Sequence, residues 1–405
     1  MFTRRLKTGY FVIEGLNSFA TVFYFYYLYF FMQQEYGFGN KANLMLAALN
    51  GATYALTAWF AGKFAQRKGY FTALKVGYAT MAGALGVGLF MPSAAGQVLV
   101  MTAAVFGMSF TWPTLEAMVS EGESAGGLQH MVGVYNVVWA ATAAIGSFMG
   151  GALLEKLGRQ SLFYVPMTVH LVQLGLTVWL ESEAKTARRL GPTSAPQQPA
   201  PVDLDEADHH SARHPLPKAK RFLRMAWLAN PFAYIAINTL IAVVPGVARR
   251  LELSTMAAGF CCSTWCFARL GAFALLWRWQ AWHYRFRWLL LAYVALVLSF
   301  GGVVLAPNLS VLIGAQLVFG GAVGLIYYSS LFYSMDRSET KGEHGGIHEA
   351  AIGLGNCAGP AVGAATLQLI PQYSQSGTAA VILLLLCGLG GLVKIWRSAD
   401  RTAEA

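Results

Sequence analysis

Charge is what this chain lacks most. Asp, Glu, Lys and Arg make up 12% of its 405 residues, against about a quarter in soluble domains. That shortage excludes an ordinary water-soluble globule. Cysteine is scarce as well. Cys261, Cys262, Cys266, Cys357 and Cys387 all fall in apolar runs, their number is odd, and no CxxC pair occurs. A disulfide framework and a zinc site are therefore not indicated. No HExxH, GxSxG or phosphate-loop pattern stands in a suitable context, so the sequence offers no basis for an enzyme, a cofactor or a bound metal. The net charge of +10 comes without a basic cluster in a recognition motif, which argues against nucleic acid as a partner.

What the chain has instead is apolar length. Hydrophobic residues reach 56% and the mean hydropathy is +0.47. Twelve runs match the length needed to cross a bilayer core about 30 Å thick: 10–32, 42–65, 71–91, 97–119, 129–153, 160–180, 225–247, 255–278, 286–306, 309–334, 347–369 and 377–397. Gly, Pro or polar clusters such as FGN, MPSAAG, EGESAGG, APNLS and PQYSQSG separate them. The N-terminal MFTRRLKTGYF resembles the start of a signal peptide. Its apolar run continues past any h-region without a small-residue cleavage site, which predicts an uncleaved first span. With the N-terminus inside, the inner segments hold 23 Lys and Arg and the outer segments five: Lys41, Lys156, Arg159, Arg249 and Arg250. That bias predicts both termini in the cytoplasm. Residues 182–222, containing GPTSAPQQPAPVDLDEADHHSARHPLPKAKR, are rich in Pro and charge. They read as a disordered cytoplasmic linker between an N-terminal bundle, 1–181, and a C-terminal bundle, 223–405. His209, His210 and His214 lie in that linker without carboxylate support for a metal.

The two halves repeat. At an offset of 213 residues, Asn17-Ser-Phe-Ala meets Asn230-Pro-Phe-Ala, Val105-Phe-Gly meets Val318-Phe-Gly, and the Gly146/Gly150 pair meets Gly359/Gly363, each in corresponding spans. Parallel six-span repeats are the plan of transporters that rock two bundles about a central site. Over essentially its whole length the chain resembles the major facilitator superfamily. The loop GKFAQRKGYFTALK after span 2 is similar to that family's signature between helices 2 and 3, with Gly62, Arg67 and Gly69 in place and Gln66 where an Asp is expected. Span 4, AVFGMSFTWP, matches the family's helix 4 at Gly107 and Pro113, with Ala103 where an Arg linked to proton transfer often sits. Span 5 has IGSFMGG where exporters often have a Gly-Pro pattern, and span 11 has the fuller GPAVGA. The resemblance implies an all-α membrane protein of two six-helix bundles about a pseudo-twofold axis.

Ionisable groups within spans are costly and usually face a cavity or a partner. Glu14 lies about 6 Å and Glu349 about 3 Å into their spans, each at a helix N-terminus, where the dipole alone can account for a carboxylate. Glu116 sits near a helix C-terminus, which the dipole disfavours. These three are the proton-coupling candidates. Glu121 and Glu123 follow in an acidic loop, a possible partner for the basic loop Lys63, Arg67 and Lys68. Arg269 lies about 13 Å into span 8, too deep to snorkel. Asn136 of span 5 lies at similar depth, and the resemblance implies that helices 5 and 8 pack across the bundle interface. Arg269 is thus an anion binder or an interdomain hydrogen-bond hub. His170 is expected as a core histidine with one partner.

In the family, helices 1, 4, 7 and 10 line the cavity. The resemblance places Asn17, Tyr24, Tyr27, Thr111, Trp112, Asn230, Asn238, Gln316, Tyr327 and Tyr328 there, with Thr239 and Tyr333. Aromatic faces with a few amides and hydroxyls suit a small organic substrate. The expected function is secondary active transport by alternating access, proton-coupled, by a monomer in the bilayer of a bacterial inner membrane, with efflux slightly favoured over uptake. The alternative is a non-transporting membrane sensor or assembly factor, which the residues at Gln66 and Ala103 would fit.

Overall fold

The computed structural model describes residues 4–120, 125–190, 216–279, 281–335 and 341–398. Among them every regular element is an α-helix: α1 Arg4–Tyr36, α2 Asn40–Lys68, α3 Tyr70–Gly88, α4 Ala94–Ser109, α5 Trp112–Ser120, α6 Ala125–Leu157, α7 Ser161–Leu190, α8 Leu216–Arg250, α9 Thr255–Cys262, α10 Thr264–Arg278, α11 Phe286–Val304, α12 Leu309–Met335, α13 Lys341–Leu369 and α14 Ser376–Ser398. Hydrocarbon offers the backbone no hydrogen-bond partner, so a spanning segment satisfies its own amides as a helix. Nine of these segments among the described residues are long and apolar enough to cross a membrane by composition.

Two spans are broken in the middle, so the twelve expected spans correspond to fourteen helices among the described residues. Span 4 breaks between α4 and α5 at Phe110 and Thr111. Pro113 has no N–H and its ring crowds the carbonyl four residues back, and here the ladder gives way, although α8 and α13 run through prolines of their own. Span 8 breaks at Ser263 between α9 and α10. There Thr264 Oγ1 donates to the Cys261 carbonyl at 2.9 Å, drawing off an acceptor of the helix ladder. Several helices overrun the apolar runs, as α1 does at both ends, whereas α3 and α11 stop short of theirs at Gly88 and Val304. Helix also continues into both edges of the expected linker, with α7 reaching Leu190 and α8 starting at Leu216. Residues 191–215, with the three linker histidines, lie outside the described residues.

The packing carries the repeat. A first carbon on Gly146 would stand 2.9 Å from the Phe19 carbonyl oxygen, and one on Gly359 would stand 2.6 Å from that of Ile235. The α1–α6 and α8–α13 pairs are thus equivalent close crossings, permitted by the absence of a side chain. Between the bundles, α2 packs along α13 and α6 along α9 and α10. Shifting by six spans exchanges these two contacts, as a twofold axis between the bundles requires. The outside is apolar: Leu99 and Leu298 are each 71% exposed and Leu56 is 67% exposed, a surface suited to acyl chains rather than water.

Candidate functional site

The centre of the bundle interface is built on two helical spacings. On α10, Trp265 precedes Arg269 by four residues, so both face one side. On α6, Asn136 precedes Trp139 by three. The structure brings these faces together. The Arg269 guanidinium carbon lies 4.5 Å from the Trp139 ring centre and 4.8 Å from that of Trp265, one indole from each bundle. Trp139 Nε1 donates to Asn136 Oδ1 at 2.9 Å. Around this pair, Trp139 meets Trp112 of α5 at 6.2 Å, Phe273 of α10 at 5.7 Å and Tyr327 of α12 at 5.6 Å between ring centres. Tyr234 of α8 reaches Tyr327 at 6.5 Å.

Arg269 is 7% exposed. Among the described residues no carboxylate pairs with it, and its Nε–H has no acceptor. Burying an ion costs several kcal/mol after relaxation. Two desolvated cation–π contacts return about 2 kcal/mol each, but they supply no lone pairs for the N–H groups.

The other expected cavity residues divide. Trp112 and Tyr327 belong to the central cluster. Tyr328 packs inside the C-terminal bundle against Phe273 and Trp282. Thr111 is buried; its Oγ1 donates to the Met108 carbonyl and its methyl lies against Gly77 of α3. Asn238 Nδ2 donates to Asn356 Oδ1, tying α8 to α13. Gln316 Nε2 donates to the Cys261 carbonyl at 2.8 Å, tying α12 to α9. Tyr24 and Tyr27 meet different neighbours. Tyr24 lies 6.2 Å from Phe163 of α7, whereas the Tyr27 hydroxyl donates to the Ser147 carbonyl of α6 and borders Gly259 of α9. Three residues leave the two rings about 60° apart around the helix, so neighbours on either side of one face take one ring each. The α1 backbone near Asn17 is tied to α7, where the Ile13 carbonyl accepts from Gln173. Asn17 and its repeat mate Asn230 are both buried, and neither amide finds a partner among the described residues.

Glu14 is fully buried inside the N-terminal bundle, with Ser18 Oγ donating to its Oε1 at 2.9 Å. Its neighbours include a defined histidine. Gln173 Nε2 donates to the Ile13 carbonyl at 3.0 Å, so its Oε1 faces His170 Nδ1 at 2.8 Å. An amide oxygen only accepts, which places the proton on Nδ1. The ring stacks on Tyr78 at 6.1 Å. Glu116 is half-buried on α5, one turn beyond Trp112. Glu349 falls within α13, but its side chain lies outside the described residues, as do Glu121 and Glu123. In the loop after α2, Gly69 has φ +91° and caps the helix, its N–H bonding to the Ala65 carbonyl. Gly62 has open space around it and Arg67 is exposed.

The end of the molecule farthest from the N-terminus is bridged between bundles. The Met256 backbone N–H at the start of α9 donates to Glu155 Oε2 at 2.9 Å, Gln34 Nε2 to Thr255 Oγ1 at 2.8 Å, and Lys41 Nζ to Gln368 Oε1 at 2.8 Å. Beside them Glu35 pairs with Arg159 and holds its guanidinium above the ordinary value. Near the opposite end, His130 lies 5.7 Å from Trp277. Sequence reasoning missed Trp139, Trp265, Phe273 and Glu155. The first two were readable from their spacing to Asn136 and Arg269; the others had no local signal.

The family profile of the Major Facilitator Superfamily matches residues 98–360. Among solved structures, the nucleoside transporter NupG, as a point mutant, superimposes with a TM-score of 0.67 at 13% identity, covering 96% of this chain and 98% of that one. The human organic anion transporter MFSD10 (TETRAN) gives 0.65 at 17% identity, covering 96% and 99%. No curated protein sequence matches the chain.

Proposed function

The chain belongs to the Major Facilitator Superfamily, and on that premise we propose that it moves a small organic solute by alternating access, coupled to protons, outward rather than inward. One observation carries the reading: a buried cation at the bundle interface, Arg269, is covered by indoles from both bundles. Any rocking of the bundles separates Trp139 from Arg269 and uncovers the guanidinium. The solute site is the cluster of Arg269, Trp112, Trp139, Tyr234, Phe273 and Tyr327. The two glycine-lined crossings, α2 on α13 and α6 on α9 and α10, are the bearings of the motion. The Lys and Arg bias places both termini in the cytoplasm, so the end with Glu155 and Met256 is the outer end.

Protons enter through carboxylates. Neutralising a buried carboxylate removes its desolvation cost and shifts the balance of inward and outward states. Glu14 is buried beside Ser18, Glu116 lies one turn from the central cluster, and Glu349 is the third candidate. The outward direction rests on the GPAVGA of α13, with Pro360 inside the helix. A thermal-shift screen of purified protein identifies a solute, and proteoliposomes with an imposed pH gradient then test the coupling. Glu14→Gln or Glu116→Gln abolishes gradient-driven flux; if both leave it intact, the proton assignment is wrong.

A further inference from the structure

Resting on that reading, we infer that the solute is an organic monocarboxylate with an apolar or aromatic body, its carboxylate bound by Arg269 and its body held among the rings around Trp139. Three observations converge. First, Arg269 is buried at the interface with no carboxylate partner and with Nε–H unmet among the described residues. Second, the adjacent amide has a fixed orientation. An indole N–H only donates, so Trp139 must face Asn136 Oδ1. Asn136 Nδ2 therefore points elsewhere, and it too has no acceptor among the described residues. Third, the surrounding side chains, Trp112, Phe273 and Tyr327, are rings.

The site thus offers charge and hydrogen-bond donors and, among the described residues, no anionic acceptor for them. A cation would meet repulsion. A neutral carbonyl would bring lone pairs but leave the guanidinium uncompensated. A planar carboxylate brings both, and its two oxygens match the spacing of guanidinium N–H groups. The indoles lie against the guanidinium without accepting from it, so its N–H groups remain for that partner.

The test compares matched pairs on the full chain in detergent: phenylacetate, indoleacetate and hexanoate against phenylacetamide, indoleacetamide and hexanamide. Binding is read by thermal shift and by tryptophan fluorescence, since Trp139 and Trp265 flank the site. Carboxylates bind saturably, and each amide binds about tenfold or more weaker. Arg269→Lys keeps part of the preference and Arg269→Gln loses it. Should the Arg269 variants fail to fold, Asn136→Asp supplies a built-in carboxylate beside the guanidinium and abolishes carboxylate binding. Equal affinity for acid and amide, no binding by any of the acids, or unchanged carboxylate binding in Arg269→Gln would each overturn the inference. The transporter reading fails separately. If carboxylates bind through Arg269 but cross proteoliposomes under no gradient, the site stands and transport falls. If a neutral solute is carried with Arg269→Gln flux unchanged, transport stands and the carboxylate site falls.

Discussion

Glu155 should control how often the outer end opens. Its carboxylate accepts from the Met256 N–H in the first turn of α9 at 2.9 Å, so an anion from the N-terminal bundle occupies the positive end of a helix in the C-terminal bundle. A hydrogen bond to a charged group is worth about 1.5–3 kcal/mol when well buried, and the helix dipole adds about 0.3–1 kcal/mol. Glu155 is exposed, so solvent screening brings the sum down to about 1 kcal/mol. Glu155→Ala then raises the ratio of open to closed outer ends about fivefold. Glu155→Gln keeps an acceptor, loses the charge, and gives about half that free energy. Adding Gln34→Ala removes the neutral bond to Thr255, worth about 0.5 kcal/mol when exposed, and brings the total to about tenfold. Spin labels at Gln160 and Gln372, on a background with the five cysteines replaced by alanine, report the two distances by double electron–electron resonance. The long-distance fraction rises in the order wild type, Glu155→Gln, Glu155→Ala, double variant. Identical distance distributions in all four would refute the assignment of this contact as the outer closure.

Other outcomes follow from single positions. Gly69→Ala costs about 1–3 kcal/mol because φ +91° is a conformation reserved for glycine, whereas Gly62→Ala stays within about 0.5 kcal/mol; thermal unfolding separates these two signature glycines. Gly353→Leu lowers the melting temperature, since its first carbon would stand 2.7 Å from Ala55 Cα in the α2–α13 crossing, and overpacking of this kind costs about 1–3 kcal/mol. Gln173→Leu orphans both the Ile13 carbonyl and His170 Nδ1, destabilising the protein by about 1–3 kcal/mol per group; a melting temperature equal to wild type would remove the assigned tautomer with it.

How much of this was legible in the sequence depended on how local the cause was. In lipid a long apolar run satisfies its own amides as a helix, so the helices could be placed from the apolar runs. The break in span 4 stands beside Pro113, though prolines in α8 and α13 leave their helices unbroken, and the equivalence of Gly146 and Gly359 was visible as a repeat. Helix ends were less legible. Nothing in hydropathy marks where α7 stops, because a helix outlasts the hydrocarbon as long as its next residues close their bonds.

Faces were the harder problem. Spacing says which residues of one helix point together, but not what they point at. Tyr24 and Tyr27 stand on one helix and serve different neighbours. The sequence placed Arg269 and Asn136 at one depth, yet the residue that joins them is Trp139, which belongs to one bundle while its cation belongs to the other. A contact across 130 positions of chain leaves no periodicity to read. It has an energetic trace instead: a buried guanidinium must be covered, and rings at helical spacing from the two polar residues, Trp265 four before Arg269 and Trp139 three after Asn136, are the side chains able to cover it without pairing it. A carboxylate in their place would have neutralised the ion and sealed the bundles together. On the proposed reading, the indoles are what a solute displaces.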